Sequence, residues 1–252
     1  MDALRCENLN VGYAGKTVLE DVCLAIPSGS LTVLIGANGS GKSTLLRTLA
    51  GIQSPLSGEI YIEDKPLSRY KPKELSSRRA IVDTNRQGGG ALTVAEAVSI
   101  GRNASVSLFG NISSECKASI NKAMDIVGVK HLADRYMATL SDGERQKVMI
   151  ARALAQDSPV IFLDEPTAFL DVAARIEVME LLYKLRETGK TIILSTHDIA
   201  PAVSRADTII VVDRLSKRII TGSRDELIAN GTLDIAFEGT GVRFDSSILD
   251  YR

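Results

Sequence analysis

Between Gly36 and Thr44 the chain reads Gly36, Ala37, Asn38, Gly39, Ser40, Gly41, Lys42, Ser43, Thr44, residue types suited to capturing a nucleotide triphosphate. Glycines let the backbone curl until several N–H groups face one anion. Lys42 offers a positive charge to the β- and γ-phosphates, and the Ser43 hydroxyl is a hard oxygen able to ligate Mg2+. A second candidate is the acid pair Asp164 and Glu165, which closes the apolar run Val160–Leu163. There Asp164 can hold Mg2+ through water while Glu165 polarises an attacking water. Together the two segments specify hydrolysis of a triphosphate.

Such residues act only if strands and helices bring them together. Leu31–Ile35, apolar and β-branched, predicts a buried strand leading into the glycine loop. Leu45, Leu46, Leu49 and Ile52 follow at helical spacing, so the loop opens a helix whose free N–H groups and dipole favour an anion. Strand patterns return at Val160–Leu163, Thr191–Leu194 and Thr208–Val212 with helical segments between them, which predicts a parallel sheet with ligands at its carboxyl ends. Residues 4–13 and 17–26 read as two strands around the Ala14-Gly15 turn. Gly58–Glu63 and Arg79–Asp83 read as two more, with a turn at Asp64-Lys65-Pro66. These pieces are expected to form an antiparallel sheet against the nucleotide core.

From Thr93 to Gln156 the period is helical. Val94, Ala97, Val98 and Ile100 share one face, and Ile120, Met124, Ile126 and Val127 form the next stretch. Ser141 reads as the cap of a helix through Val148–Ala155, with Glu144 completing a capping box. The final residues are polar and mixed, and a short helix and a tail are expected there.

The 252 residues suit one domain of two lobes, with 44% apolar and 24% charged residues. A net charge of −1 and the lack of a basic block argue against a nucleic-acid partner. Cys6, Cys23 and Cys116 lack metal-ligand spacing and read as buried or half-buried fillers of a reducing compartment. No apolar run approaches a bilayer span, so contact with a membrane would pass through another protein. His131 reads as a surface residue.

The phosphate loop, the segment Leu140-Ser141-Asp142-Gly143-Glu144 and the segment Phe162-Leu163-Asp164-Glu165-Pro166-Thr167 together resemble the ATP-binding-cassette ATPases over essentially the whole chain. The resemblance implies an α/β fold: a P-loop NTPase core of the RecA type with a parallel sheet, an antiparallel β-subdomain and an inserted helical subdomain. The single ATPase domain, 1–252, would divide into core with β-subdomain (1–86 and 157–225), helical signature subdomain (87–156) and C-terminal extension (226–252).

Site roles follow from the same resemblance. Tyr13 would stack on adenine. Gly36, Asn38, Gly39, Ser40, Gly41, Lys42, Ser43 and Thr44 would bind the phosphates. Ser43 and Asp164 would hold Mg2+, and Glu165, His197 and Lys42 would be catalytic. Ser141, Gly143 and Glu144 belong to the signature that covers ATP bound by a second copy. Asp142 departs from the usual glycine and is expected to point outward, since an inward carboxylate would repel phosphate. Leu170 and Asp171 fall in the loop that crosses the dimer interface. A glutamine sensing Mg2+ and the transport partner is expected near Gln87, with Thr84 as the alternative.

Three further segments resemble importers of iron-siderophores, haem and cobalamin: Thr93-Val94-Ala95-Glu96-Ala97-Val98 with Gly101-Arg102, Ser195-Thr196-His197-Asp198, and Gly222 with Asp225-Glu226-Leu227 and Leu233–Phe237. The resemblance implies a bacterial importer's ATP-hydrolysing subunit using ATP and Mg2+. It would form an ATP-dependent homodimer beneath polytopic permease subunits served by a substrate-binding protein, at the cytoplasmic face of the inner membrane. A cytosolic ATPase of the same superfamily acting in DNA repair or on ribosomes, and a P-loop kinase or nucleotide-dependent switch, are the competing readings. The first usually carries a coiled-coil, zinc element or second cassette, and the second has no use for Ser141–Glu144.

Overall fold

The computed structural model describes residues 1–83, 91–105, 113–235, 244–245 and 250–251. The chain opens with β1 (Asp2–Tyr13), β2 (Lys16–Pro27), β3 (Leu31–Ile35), α1 (Lys42–Leu49), β4 (Ser57–Ile62), β5 (Lys65–Pro66), α2 (Pro72–Arg78) and β6 (Arg79–Asp83). Among the described residues the α-helices α3 (Val94–Ser99), α4 (Ser114–Val127) and α5 (Asp142–Ala155) follow. The chain then alternates through β7 (Val160–Asp164), α6 (Val172–Glu187), β8 (Thr191–Ser195), α7 (Ile199–Ser204), β9 (Thr208–Asp213) and β10 (Arg218–Gly222). It closes with α8 (Arg224–Ala229), α9 (Thr232–Ile235), β11 (Phe244–Asp245) and β12 (Asp250–Tyr251), the last two a short antiparallel pair.

The central sheet has the order β10-β9-β3-β8-β7-β6. All of its pairs are parallel except β10 with β9. The strands β3, β8 and β7 are buried at every position because both faces are covered. On β3, Leu31, Val33 and Ile35 pack with the helical side, while Leu34 joins the cluster formed with β1, β2 and α1. On β7, Ile161 and Leu163 share the first cluster, and Val160 and Phe162 the second. This period of two is the pleat itself. The second sheet, β2-β1-β4-β5, is antiparallel throughout.

Register places the chemistry. Asp83 pairs with Asp164, Asp164 with Ser195, and Leu34 with Ser195, so the carboxyl ends of β3, β8 and β7 finish level. The glycine loop leaves β3 at that same edge.

Several expectations need correction. Arg79–Asp83 belongs to the parallel sheet as β6, beside β7, and not to the antiparallel one. An apolar run of that length can be buried in either sheet, and partner choice is not written locally. Lys65-Pro66, expected within a turn, forms an edge strand where Pro66 needs no ladder N–H, and the turn is made by Glu63 and Asp64 at positive φ. Helix α1 stops at Leu49, and Ile52 lies beyond it, 54% exposed. Ile126 fits the helical period of α4 yet is exposed. Ile100 opens a 3-10 turn and is only half-buried. Cys23 is exposed, while Cys6 and Cys116 are buried as expected. His131 is exposed, as read. Among the described residues no helix is long and apolar enough to cross a membrane.

Candidate active site at the carboxyl edge of the central sheet

The glycine loop keeps its shape because side chains would not fit there. A Cβ on Gly36 would lie 2.6 Å from the Val212 carbonyl oxygen, and one on Gly41 2.5 Å from Val18 Cγ1; both glycines have positive φ. Inside this curl Lys42 is buried, and its Nζ donates to the loop's own carbonyls, Gly36 O at 2.9 Å and Ala37 O at 3.2 Å. Burial pulls the Lys42 ammonium below the ordinary lysine range, against the opposing pull of the Glu165 and Asp164 carboxylates. The buried Ser40 Oγ has no hydrogen-bond partner among the described residues. A lysine satisfied only by backbone carbonyls, beside an orphaned hydroxyl, fits a phosphate group that would engage both.

Asp164 ends β7 and is almost fully buried. Its Oδ1 accepts the Ser43 hydroxyl at 2.8 Å and the Ser195 hydroxyl at 2.7 Å, while Arg47 Nη2 lies 3.5 Å from Oδ2. Ser43 and Asp164 are a hydroxyl and a carboxylate in contact, hard oxygens that suit Mg2+. No group of three or more His, Cys, Asp or Glu side chains with metal-binding geometry occurs among the described residues.

Glu165 has φ +54, a left-handed backbone in a non-glycine residue, at the turn leaving β7. Its N–H lies 3.1 Å from both the Ser195 carbonyl oxygen and Ser195 Oγ. Its carboxylate meets His197 Nδ1. Lys42, Ser43, Asp164, Glu165 and His197 therefore form one constellation built from three loops. Tyr13 stands at the rim, 54% exposed, with its hydroxyl 3.4 Å from Thr44 Oγ1 and with Lys42, Ser43, Gly39 and Gly41 lining the same cleft.

The Ser141 segment is built differently. Ser141 Oγ accepts the Glu144 N–H at 3.3 Å, and the Glu144 carboxylate accepts the Ser141 N–H at 2.9 Å, a complete capping box at the start of α5. The Ser141 N–H, aided by the Ser141 hydroxyl and Arg135, holds the Glu144 carboxyl below the usual range despite some desolvation. Asp142 is exposed in the first turn, where the helix dipole favours an acid. Gly143 is needed for space: a Cβ there would lie 2.9 Å from Ala174 Cβ of α6.

Leu170 is buried, and Asp171 caps α6 by accepting the Ala174 N–H at 2.8 Å. Gln87 and Thr84 lie outside the described residues. The structure also adds two residues to which the sequence assigned no role, Ser195 and Arg47, both on Asp164. The readable signal for Ser195 was a hydroxyl ending a buried strand at the level of an acid ending its neighbour. Arg47, on an ordinary helix, gave none.

The family described as ABC transporter matches residues 19–168. The chain is 38% identical over 226 residues to the ferric enterobactin transport ATP-binding protein FepC of Escherichia coli, an alignment covering 89% of this chain and 83% of that one. It is 37% identical over 233 residues to the iron(3+)-hydroxamate import ATP-binding protein FhuC of Bacillus subtilis, covering 92% and 83%. Among solved structures, the ADP conformation of an ATP-binding cassette of an ABC transporter superimposes with a TM-score of 0.82 at 27% identity, covering 93% of this chain and 96% of that one. A nucleotide-free cassette from an ABC transporter gives 0.80 at 27% identity, covering 95% and 97%.

Proposed function

This chain belongs to the ABC transporter family of ATP-binding proteins, an ATPase by that membership, and from this premise we propose that it powers the uptake of an iron chelate (a siderophore complex), haem or cobalamin. The observation that carries the ATPase site is the Ser43–Asp164 contact of 2.8 Å beside Lys42 and the Glu165–His197 pair. What supports the cargo class is similarity across most of the chain to ATP-binding proteins for two chemically different iron chelates, enterobactin and a hydroxamate. These relatives do not favour action in DNA repair or on ribosomes.

In this reading Lys42 turns from the Gly36 and Ala37 carbonyls to the β- and γ-phosphates, where its ammonium meets anionic oxygens in place of uncharged carbonyls. The N–H groups of Gly39 and Gly41, the Ser40 hydroxyl and the start of α1 would meet the same anion, helped by Gly36, Asn38 and Thr44, while Tyr13 covers the adenine. Ser43 and Asp164 would hold Mg2+, which when bound neutralises phosphate charge. Ser195 keeps the Asp164 carboxylate oriented if Ser43 turns away. Glu165 accepts a proton from the attacking water, and His197 orients that carboxylate from the next strand.

Ser141, Gly143 and Glu144 are proposed to cover ATP held by a second copy, with Leu170 and Asp171 at the seam, and Gln87, or Thr84, is proposed to sense Mg2+ and the transport partner. The homodimer, the substrate-binding protein and a peripheral place under an inner-membrane permease belong to this proposal, as does assignment of residues 87–156 to a signature lobe.

Deleting the gene and following uptake of a radiolabelled ferric siderophore, haem and cobalamin tests the cargo class. Uptake of at least one should fall to background and return with the wild-type gene but not with Glu165→Gln. Unchanged uptake of all three would overturn the assignment.

A further inference from the structure

The first turn of α6 bears an arginine whose side chain leaves its own helix in two directions. Arg175 Nε donates to the Leu170 carbonyl oxygen at 2.9 Å, in the loop before the helix. Its Nη1 reaches Asp198 Oδ1 at 3.2 Å, in the loop that bears His197. Asp198 occupies the N-cap position of α7, where an aspartate ordinarily accepts a hydrogen bond from the helix, yet its side chain makes no capping bond. Its carboxylate is committed to Arg175 instead. The other oxygen, Oδ2, is buried with no hydrogen-bond partner among the described residues, so Arg175 carries the recognition of this carboxylate. The backbone on the far side is pinned as well, since the Asp198 N–H donates to Thr196 Oγ1 at 2.9 Å. His197 thus sits between a threonine anchor and an arginine anchor, with its Nδ1 on the Glu165 carboxylate.

The same helical turn touches a third element. Ala174, adjacent to Arg175, is the residue against which Gly143 of α5 must stay bare. Lys147 of α5 and Glu177 of α6 pair at 2.9 Å along the same seam. The start of α6 therefore contacts the Ser141 helix, the Leu170–Asp171 loop and, through Arg175, the His197 loop.

We propose that Arg175 is a positioning residue: its guanidinium fastens the His197 loop to the Leu170–Asp171 loop, so that the imidazole is held against Glu165 only while the latter loop keeps its present shape. This rests on the site reading above, in which Glu165 activates water. Displacing the Leu170 carbonyl would slacken Arg175, release Asp198 and let His197 leave Glu165. Arg175 itself touches no reacting group. Its loss should lower the rate of the chemical step and spare nucleotide affinity, which depends on the glycine loop.

The test uses the full-length chain, with turnover measured by phosphate release and affinity by a fluorescent ATP analogue. Arg175→Ala should lower kcat about tenfold and leave the analogue Kd within about twofold. Arg175→Lys keeps the charge toward Asp198 but lacks the fork that reaches both partners, and should recover part of the loss. Asp198→Asn should lower kcat to a similar extent, and the double variant Arg175→Ala/Asp198→Asn should be no slower than the worse single variant. A kcat for Arg175→Ala within about twofold of wild type, or losses that multiply in the double variant, would overturn the proposal. Should Arg175→Ala fail to fold, Arg175→Lys and Asp198→Asn decide it by the same split between kcat and Kd. Glu165→Gln run in parallel separates the two levels. If it retains turnover, the site reading fails; if it abolishes turnover and the Arg175 variants do not matter, the positioning role alone fails.

Discussion

The glycine-loop end and the Ser141 end of this molecule carry equally recognisable motifs, yet they are held in opposite ways. Lys42, Ser40 and Asp164 are 6%, 2% and 6% exposed, and the Ser43–Asp164 bond joins residues 121 positions apart. Ser141 and Asp142 are exposed, and the capping bonds of Ser141 reach only to Glu144, three positions on. The first region exists only when the whole sheet has formed. The second is a helix start that would form wherever α5 forms. A site that folds globally can be complete within one chain, whereas a locally organised, exposed one is suited to meeting a ligand already held elsewhere. The contrast supports a composite site made by two copies, each lending a buried half and an open half.

Breaking the buried half should have the largest effect. Glu165→Gln should lower turnover about a hundredfold or more while ATP still binds, because an amide cannot take the proton that general-base catalysis requires. Turnover near wild type in a phosphate-release assay would remove Glu165 from that role. Lys42→Ala should weaken ATP binding by about 1.5–3 kcal/mol, the worth of a charge-assisted hydrogen bond, as read by calorimetry. Unchanged affinity would contradict the placement of phosphate in the glycine loop.

Perturbing the open half sharpens the comparison. Ser141→Arg should leave ATP affinity of the isolated chain within about twofold, yet prevent the nucleotide-trapped dimer expected of Glu165→Gln on gel filtration. Loss of ATP binding by the folded monomer would show the two halves to be one site within a chain.

The smallest effect concerns pH. Glu96, Glu144 and Glu226 each close a capping box, and the backbone N–H of Thr93, Ser141 and Ser223 respectively holds each carboxyl below its ordinary value of 4.5. Because the folded value is depressed, this stability is present above the unfolded value and is lost as pH falls through the folded one. The melting temperature should therefore drop between pH 5 and 3, less in Glu96→Gln and Glu226→Gln, with turnover near neutral pH unchanged in both.

Much of this was legible from local pattern. The strand–glycine loop–helix unit, the Val160–Asp164 strand and the Ser141 cap all depend on residues close in sequence, and each stands where it was read. What escaped depends on distant partners. The five residues of β6 look alike whether they pair with β4 or with β7, and only the fold selects β7. Ile52 and Ile126 keep the helical period, but period does not say where a helix ends or which face meets another element. Cys23 sits among apolar neighbours on β2 and still faces outward, because strand alternation places it on the side away from Leu24. Arg47, Arg175 and Ser195 acquire meaning only from a carboxylate or carbonyl contributed by another part of the fold.

The capping box at Ser141 has two siblings of the same make, Thr93 with Glu96 and Ser223 with Glu226. At the siblings the hydroxyl, among the described residues, bonds only within its own capping box, accepting the N–H of Glu96 or Glu226 and donating to that residue's carboxylate, so threonine and serine are near-synonyms there. At Ser141 the same oxygen would answer to two judges, the helix beneath it and the phosphate of another copy. Its permitted alphabet is the overlap of both requirements. Drift that passes unnoticed at residues 93 and 223 would be visible to selection at 141, though the polymer folds alike in all three cases.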